Sequence, residues 1–530
     1  MKNKIAELFL KYNLGNVEAD ILPVSGGLMH KMYKVEASAG TYAVKVLNPE
    51  IMKRPDAAKN YDRAEKLEGL LETAGLPLVP ALAFDGKKML ELDGDFFYIF
   101  KWQEGSITDW KTITKEQCFI AGGLLGCIHK IDAQNVEPQP TEECNIDFEA
   151  YIKAVAGKTA GTTIASLLSE NLPLLKNAQV QLNQARKKLP AMKAITDDDM
   201  DPKNVMWHKG QPHIIDLECL DYGNPLSSCL NLALQWSGTV NQNFNKENLA
   251  AFFDGYLKAY DNGFRSYDEL FGIAYCWLEW LEHNIRRALG LEVSSEQETK
   301  LGQEEVKNTI ARIKYLNQIE EEVHSCLSKL PPPDSKNYKT HDNNLCYIDL
   351  VFEGELKDLP HYELPKGFSF ASYKSGDKDD WINIELSSEE VLNYEHGQEC
   401  WQRYYGNKEN ELSDRMFFIE DSKGRKVATA TAFYDIHGKD KPGQGQLHWV
   451  AIKKEAQGKG LSKALITYVL KIMKNLGYTS VKIHTQTNTW LACKIYFDLG
   501  FRPSPQSLKE HSFGWKMIEE LTGRKITIRI

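Results

Sequence analysis

The stretch TDDDMDPKNVMW, residues 196–207, followed by HIIDLE, residues 213–218, decides the reading of the first half of this chain. Asp199 precedes Asn204 by five positions, and Asp216 opens the next turn. Phosphoryl transfer needs a carboxylate to orient an attacking hydroxyl, and oxygen ligands to hold magnesium against the phosphates. Asp199 suits the first task. Asn204 and Asp216 suit the second, and Glu218 is a candidate support for a second metal.

Working upstream, Gly26 and Gly27 lie between an extended segment and a strand around Tyr33–Val35. Glycines there let backbone amides approach phosphate oxygens, although a plain hairpin turn explains the pair equally simply. Lys45 sits in TYAVKVL, where Tyr42, Val44 and Val46 alternate as a half-buried strand does. It is either a phosphate-contacting lysine or an edge lysine reaching for solvent. Helical spacing of Ala64, Leu67, Leu70 and Leu71 predicts a helix over 56–73. Glu65 or Glu68 on that helix is the expected partner of Lys45, Glu65 being preferred. FFYIFKW reads as another buried strand. From Thr114 onward helical patterns dominate, broken by the hairpin-like NVMWHKGQPHIIDLE. A small sheet lobe ahead of a helical lobe predicts an α+β, protein-kinase-like bilobal domain.

Together these segments resemble the superfamily of aminoglycoside phosphotransferases and choline kinases, over roughly residues 5–330. SGGLMHKMYKV looks like its nucleotide loop, GLPLVPAL like the segment after its helix, and LLGCIHK like the entry to its helical lobe. DMDPKNVMW with IIDLECLDYGNP resembles its signature pair. The resemblance implies Mg2+ and ATP or GTP as co-substrate, with the base received near Lys101 and Trp102. One position departs from the pattern: Asp197 stands where the family usually has histidine, two places before the catalytic aspartate. That leaves a degenerate or nucleotide-sensing domain as an alternative. Glu279 and Glu282 lie three apart on one helix face in WLEWLEHNIRRALG. They suit an amine-bearing substrate, or else are a solvated face paired with Arg286 and Arg287.

At 530 residues the chain exceeds what one core usually supports. The clearest break is Pro331–Pro333, which follows a charged helical pattern over about 295–330 and precedes the polar run DSKNYKTHDNN. The expected domains are 1–330, with a small lobe over about 1–102 and a helical lobe over about 103–330, then a linker at 331–345 and a second domain at 346–530. A net charge of −9 argues against a general nucleic-acid binder. Ten scattered cysteines without a C-x-x-C pair suggest neither disulfides nor zinc, and a reducing compartment. With no apolar run of membrane length and no signal-peptide pattern, a cytoplasmic protein with no membrane or nucleic-acid partner is expected.

The second half carries QLHWVAIKKEAQGKGLSKALI, a strand over about 446–452, a glycine-rich turn and a helix over about 460–475. Gln457, Gly458, Lys459, Gly460, Leu461 and Ser462 form a loop–helix junction whose amides can hold a pyrophosphate. Ser462 departs from Q/R-x-x-G-x-G/A in the last small position. Downstream, TSVKIHTQTNTWLACKIYFDLGFRPS places Asn488, Tyr496, Gly500 and Phe501 in a pattern that resembles the GNAT acetyltransferase superfamily. The resemblance covers about 367–504 and implies an α/β domain with acetyl-CoA in a cleft beside the strand of Val450 and Ile452. It implies direct transfer to an amine, with Tyr496 protonating the departing thiolate. His448, given a near-neutral pKa, is either the base for the acceptor amine or a structural histidine. Both families include antibiotic-modifying members, so a bifunctional enzyme acting on the hydroxyl and amine of a small molecule is expected. The alternative is an acetyltransferase regulated by a catalytically weak nucleotide-binding domain. Neither acceptor identity, the choice of ATP or GTP, nor oligomeric state is written in the residues.

Overall fold

A computed structural model of the chain describes residues 1–24, 30–133, 136–138, 142–156, 162–291, 293, 295–339, 341–434 and 441–526. The chain divides into two compact units. The first comprises Met1–Asp261 and Ser266–Pro331; the second comprises Asn262–Arg265 and Pro332–Ile530.

The first unit begins with helix Lys2–Lys11, which buries Ile5, Leu8 and Phe9. It packs on a five-stranded antiparallel sheet ordered Leu22–Val24, Lys31–Ala37, Gly40–Val46, Asp95–Lys101, Leu90–Leu92. Period-two alternation drives this packing: Val35, Tyr42, Val44, Phe97 and Ile99 all turn into one core. Helix Ala57–Thr73 turns Ala64, Leu67 and Leu71 inward, as its spacing predicts. The segment after it is stitched to the metal-ligand candidates' strand. The Val79 amide donates to Ile214 O at 2.9 Å, and the Ile214 amide donates to Pro77 O at 2.8 Å.

The remainder of this unit is mostly helical. Helices Lys115–His129 and Lys246–Ala259 cross in backbone contact. A Cβ on Gly122 would lie 2.0 Å from Phe252 O, and one on Gly255 would lie 1.9 Å from Phe119 O. Only glycine permits that approach. His129, buried there, has its Nδ1 2.8 Å from the Tyr256 hydroxyl. Ala194–Asp197, paired with Leu220–Gly223, packs on helix Lys115–His129, and the hairpin Val205–His208 with Gln211–Ile214 is extended by Ser106–Ile107. Helix Glu296–Leu327 closes the unit.

The second unit is a seven-stranded sheet with helices. Its strand order is Phe368–Ser372, Met416–Asp421, Lys426–Phe433, Gln444–Ile452, Ser480–Gln486, Asp349–Glu355, Arg502–Pro503. The first strand in sequence is thus inserted near the far edge. Strands Gln444–Ile452 and Ser480–Gln486 are parallel, but their pairing spans only Gln444–Leu447. Beyond Leu447 the first strand stays on Lys426–Phe433 and the second stays on Asp349–Glu355. The two therefore diverge and open a wedge in the sheet. A bulge sits in the same place: Trp449 and Val450 oppose the single residue Ala430, and Trp449 has φ +47°. Helix Leu461–Asn475 follows this strand. Among the described residues no helix is long and apolar enough to cross a membrane.

Candidate functional sites

In the first unit the residues singled out by spacing converge. The turn 197–204 is pinned on several sides. Trp236 Nε1 donates to Met200 O at 2.9 Å, and Asn204 Nδ2 donates to Asp199 O at 2.8 Å. The Ile215 amide donates to Asn204 O at 2.9 Å, which joins the Asn204 turn to the Asp216 turn. Asp216 itself adopts φ +64°, ψ +53°, a left-handed conformation that a non-glycine residue takes at some cost.

Lys45 is buried and bonds to Asp216 Oδ1 and, at 2.6 Å, to Glu218 Oε2. The expected pairing of Lys45 with Glu65 is not made. Glu65 accepts from the Met89 amide at 3.0 Å and the Tyr98 hydroxyl at 2.9 Å, while Glu68 accepts from the Ala81 amide and Lys88. The physical reason is competition: Asp216 and Glu218 already give the buried ammonium two carboxylates. Glu218 also takes His30 Nε2 at 3.0 Å. Burial works against its charge, but Lys45 and His30 outweigh this and pull its pKa down to about 2.

Asp199 lies 3.2 Å from Lys203 Nζ, and Asp201 lies 2.9 Å from the same nitrogen. Burial raises the Asp199 pKa, Lys203 opposes the rise, and the neighbouring Asp216 adds to it. Asp197 is 1% exposed, its Oδ2 meets no donor among the described residues, and burial followed by Asp199 and Asp198 pushes its pKa well up. Its other oxygen, Oδ1, takes the Asp199 amide at 3.3 Å.

The magnesium donors are consistent with that ion. Asp216 offers a carboxylate and Asn204 an amide oxygen, and magnesium ordinarily takes one or two protein ligands, keeping waters and phosphates for the rest. No group of three or more His, Cys, Asp or Glu side chains among the described residues forms a metal cage. Gly26 and Gly27 lie outside the described residues. The Lys101 side chain is exposed, and the Trp102 amide is spent on Thr41 O at 3.0 Å. Glu279 pairs with Arg186 at 2.8 Å and Glu282 accepts from the Tyr151 hydroxyl at 2.8 Å, while Arg287, one of the two arginines expected to pair with them, donates to Asn284 Oδ1 at 3.1 Å. A cavity of about 560 Å³ adjoins this region, lined by Arg63, Arg186, Thr196, Asp198, Asp221 and Glu279 among others.

In the second unit, Gln457 Nε2 donates to Ile452 O at 3.0 Å and braces the turn against its strand. Gly458 and Gly460 have φ +73° and +78°. Gly460 caps helix Leu461–Asn475 with no side-chain hydrogen bond, which leaves the helix's positive end to main-chain groups. Lys459 is exposed, Ser462 half-buried and Leu461 buried in the core. Val450 and Ile452 are half-buried along the diverging strand. Asn488 is tied to His341, with Nδ2 3.0 Å from His341 Nε2, and its Oδ1 has no donor among the described residues. Tyr496 is buried edge-on against Phe352, and burial raises its pKa, keeping the hydroxyl protonated.

His448 stands beside the bulge with Phe433 stacked on it at 4.7 Å and Tyr404 edge-on at 5.0 Å. Its Nδ1 is 3.0 Å from the Tyr405 hydroxyl, which also donates to Thr431 Oγ1 at 3.2 Å. Burial, assisted by His484, lowers its pKa to about 3, so the expected near-neutral value does not hold. His30, Lys203 and Tyr405 are contacts the sequence reading missed. His30 and Lys203 stand inside quoted motifs, but Tyr405 is 43 residues from His448 and carries no local signal.

Residues 20–270 match the model of the phosphotransferase enzyme family, and residues 379–501 match that of the acetyltransferase (GNAT) family. The chain joins a domain of each family. Over 148 residues it is 30% identical to a mycothiol acetyltransferase of Pseudarthrobacter chlorophenolicus, spanning 27% of this chain and 45% of that protein. Over 112 residues it is 31% identical to N-acetyltransferase 8B of Rattus norvegicus, spanning 20% of this chain and 48% of that one. The chain thus spans about half the length of these curated relatives. Among solved structures, a spectinomycin phosphotransferase in complex with ADP and spectinomycin aligns with 62% of this chain and 98% of its own, at 11% identity and TM-score 0.44. A choline/ethanolamine kinase family protein from Mesorhizobium loti aligns with 62% and 99%, at 16% identity and TM-score 0.42. The two family matches and the sheet topologies described above give the fold class: a kinase-like α+β domain followed by a GNAT domain with a mixed sheet.

Proposed function

We propose that the chain is a bifunctional transferase. Its first domain moves a phosphoryl group from ATP or GTP, with Mg2+, to the hydroxyl of a small molecule. Its second moves an acetyl group from acetyl-CoA to an amine. The observation that supports the first activity best is the convergence of Lys45, Asp199, Asn204 and Asp216, with Lys45 and Asp216 in direct contact. Asp199 would orient the hydroxyl and accept its proton, and Lys45 would meet the phosphates. Asn204 and Asp216 would hold magnesium, which neutralises phosphate charge when bound. The base would sit near Lys101 and Trp102, with Gly26 and Gly27 over the phosphates.

The second activity is supported by the wedge between the diverging strands, which has the turn Gln457–Ser462 and Tyr496 as neighbouring elements in sequence. Acetyl-CoA would lie along Val450 and Ile452 and beside Asn488, with its pyrophosphate on the turn's amides. Tyr496 would protonate the leaving thiolate. His448, uncharged, would meet the acceptor amine. We propose 1–330 and 346–530 as the domains and 331–345 as their linker, in a cytoplasmic protein. Small molecules bearing both hydroxyl and amine, antibiotics included, are the first substrates to test.

A second reading, regulation of the acetyltransferase by a catalytically weak nucleotide-binding domain, is favoured by one feature: a buried Asp197 stands where the family usually has histidine. Comparing Asp216→Ala with wild type tests the choice. Loss of magnesium-dependent phosphoryl transfer with acetylation unchanged supports two active sites. A wild-type protein that binds ATP without turning it over on any hydroxylated amine would sink the phosphotransferase activity.

A further inference from the structure

Resting on the nucleotide site proposed above, we propose that His30 is a positioning residue that holds Lys45 beside the magnesium-ligand candidate Asp216 through Glu218. The imidazole Nδ1 accepts the Asn48 amide hydrogen at 3.0 Å. An amide can only donate, so Nδ1 is unprotonated and the neutral ring carries its proton on Nε2. Nε2 lies 3.0 Å from Glu218 Oε1 and donates to it. The other Glu218 oxygen, Oε2, takes Lys45 Nζ at 2.6 Å, and Lys45 bonds onward to Asp216. The side chains of His30, Lys45 and Glu218 are 9%, 6% and 12% exposed, and Asp216, at the open end of the chain, is 32% exposed. Such charge-assisted bonds are short and directional, so each member fixes the next.

The ends of the chain carry the coupling. At one end, the second bond of His30 reaches Asn48, three residues past Lys45. Asp216 is a magnesium-ligand candidate. As drawn, Lys45 neutralises both Asp216 and Glu218. Nucleotide phosphates drawing Lys45 toward themselves would leave Asp216 free to act as a magnesium ligand. Glu218, held by His30, then keeps Lys45 from leaving the site. Helix residue Glu65 has no part in this, because it is committed to Met89 and Tyr98. His30 thus supports the association of nucleotide with metal, not of nucleotide alone.

The test is calorimetric titration of ADP into the full chain, with and without Mg2+, for wild type, His30→Ala and His30→Gln. A hydrogen bond to a charged group is worth enough to change binding on the order of tenfold. His30→Ala should lose about tenfold of the Mg2+-dependent gain in ADP affinity while metal-free ADP affinity moves less than about twofold. His30→Gln, whose amide can donate to Glu218, should restore most of that gain. An undiminished Mg2+ gain in His30→Ala overturns the coupling. So does equal weakening with and without metal, or a Gln variant no better than Ala. If His30→Ala does not fold, the Gln variant against His30→Leu gives the same comparison. Wild type that binds no ADP under either condition would instead overturn the nucleotide site itself.

Discussion

Lys203 Nζ stands 3.2 Å from Asp199 Oδ1, four residues earlier in the same turn, and the two are equally exposed at 35%. The proposed base therefore rests against a cation supplied by its own loop. Removing that cation leaves burial, Asp216 and Glu218 acting on Asp199, and all three raise its pKa. A base works only when deprotonated. Lys203→Met should shift the acid limb of the phosphoryl-transfer pH profile to higher pH, with turnover at high pH largely retained. An acid limb that stays in place would detach Lys203 from the reacting carboxylate.

Asp197 gives a stability prediction whose sign follows from linkage. The folded state holds its proton well above the ordinary value of 3.8, whereas the unfolded chain releases it there. Folded chains then bind more protons than unfolded ones, so this group's contribution falls as pH rises past about 4. Asp197→Asn keeps the shape and removes the titration. The difference in calorimetric unfolding between the variant and wild type should move in the variant's favour from pH 4.5 to pH 7.5. A difference that does not change with pH would show that Asp197 is ionised in the folded protein.

Tyr496 is tested by removing one atom. Tyr496→Phe preserves the ring against Phe352 and deletes the proton donor. A general acid contributes about 10²–10⁴-fold in rate. Acetyl turnover should fall by something in that range under conditions where chemistry is limiting, with acetyl-CoA affinity little changed. Unchanged turnover would mean that Tyr496 only packs.

The local patterns were legible in the sequence. Helices expected over 56–73, 295–330 and 460–475 are found at Ala57–Thr73, Glu296–Leu327 and Leu461–Asn475. The hairpin after Asn204 forms as read, because its two-residue turn, Lys209 and Gly210 at φ +49° and +79°, sets the register locally. What failed was pairing at long range. Lys45 could be placed on its strand, but its choice of Asp216 and Glu218 over Glu65 depends on which carboxylates the tertiary fold brings nearest. His448 could be placed on the central strand, but not the crowd of rings that strips it of water and lowers its pKa. The insertion of Asp349–Glu355 between later strands is likewise invisible to any window of neighbouring residues.

The divergence of strands Gln444–Ile452 and Ser480–Gln486 past Leu447 has an evolutionary consequence. A slot cut by backbone geometry does not depend on the size of any one side chain. Were acetyl-CoA and its acceptor to meet there, as proposed, substitutions along its walls would alter which acceptor is welcomed without closing the opening, and the domain would change clientele by point mutation while its architecture is inherited intact.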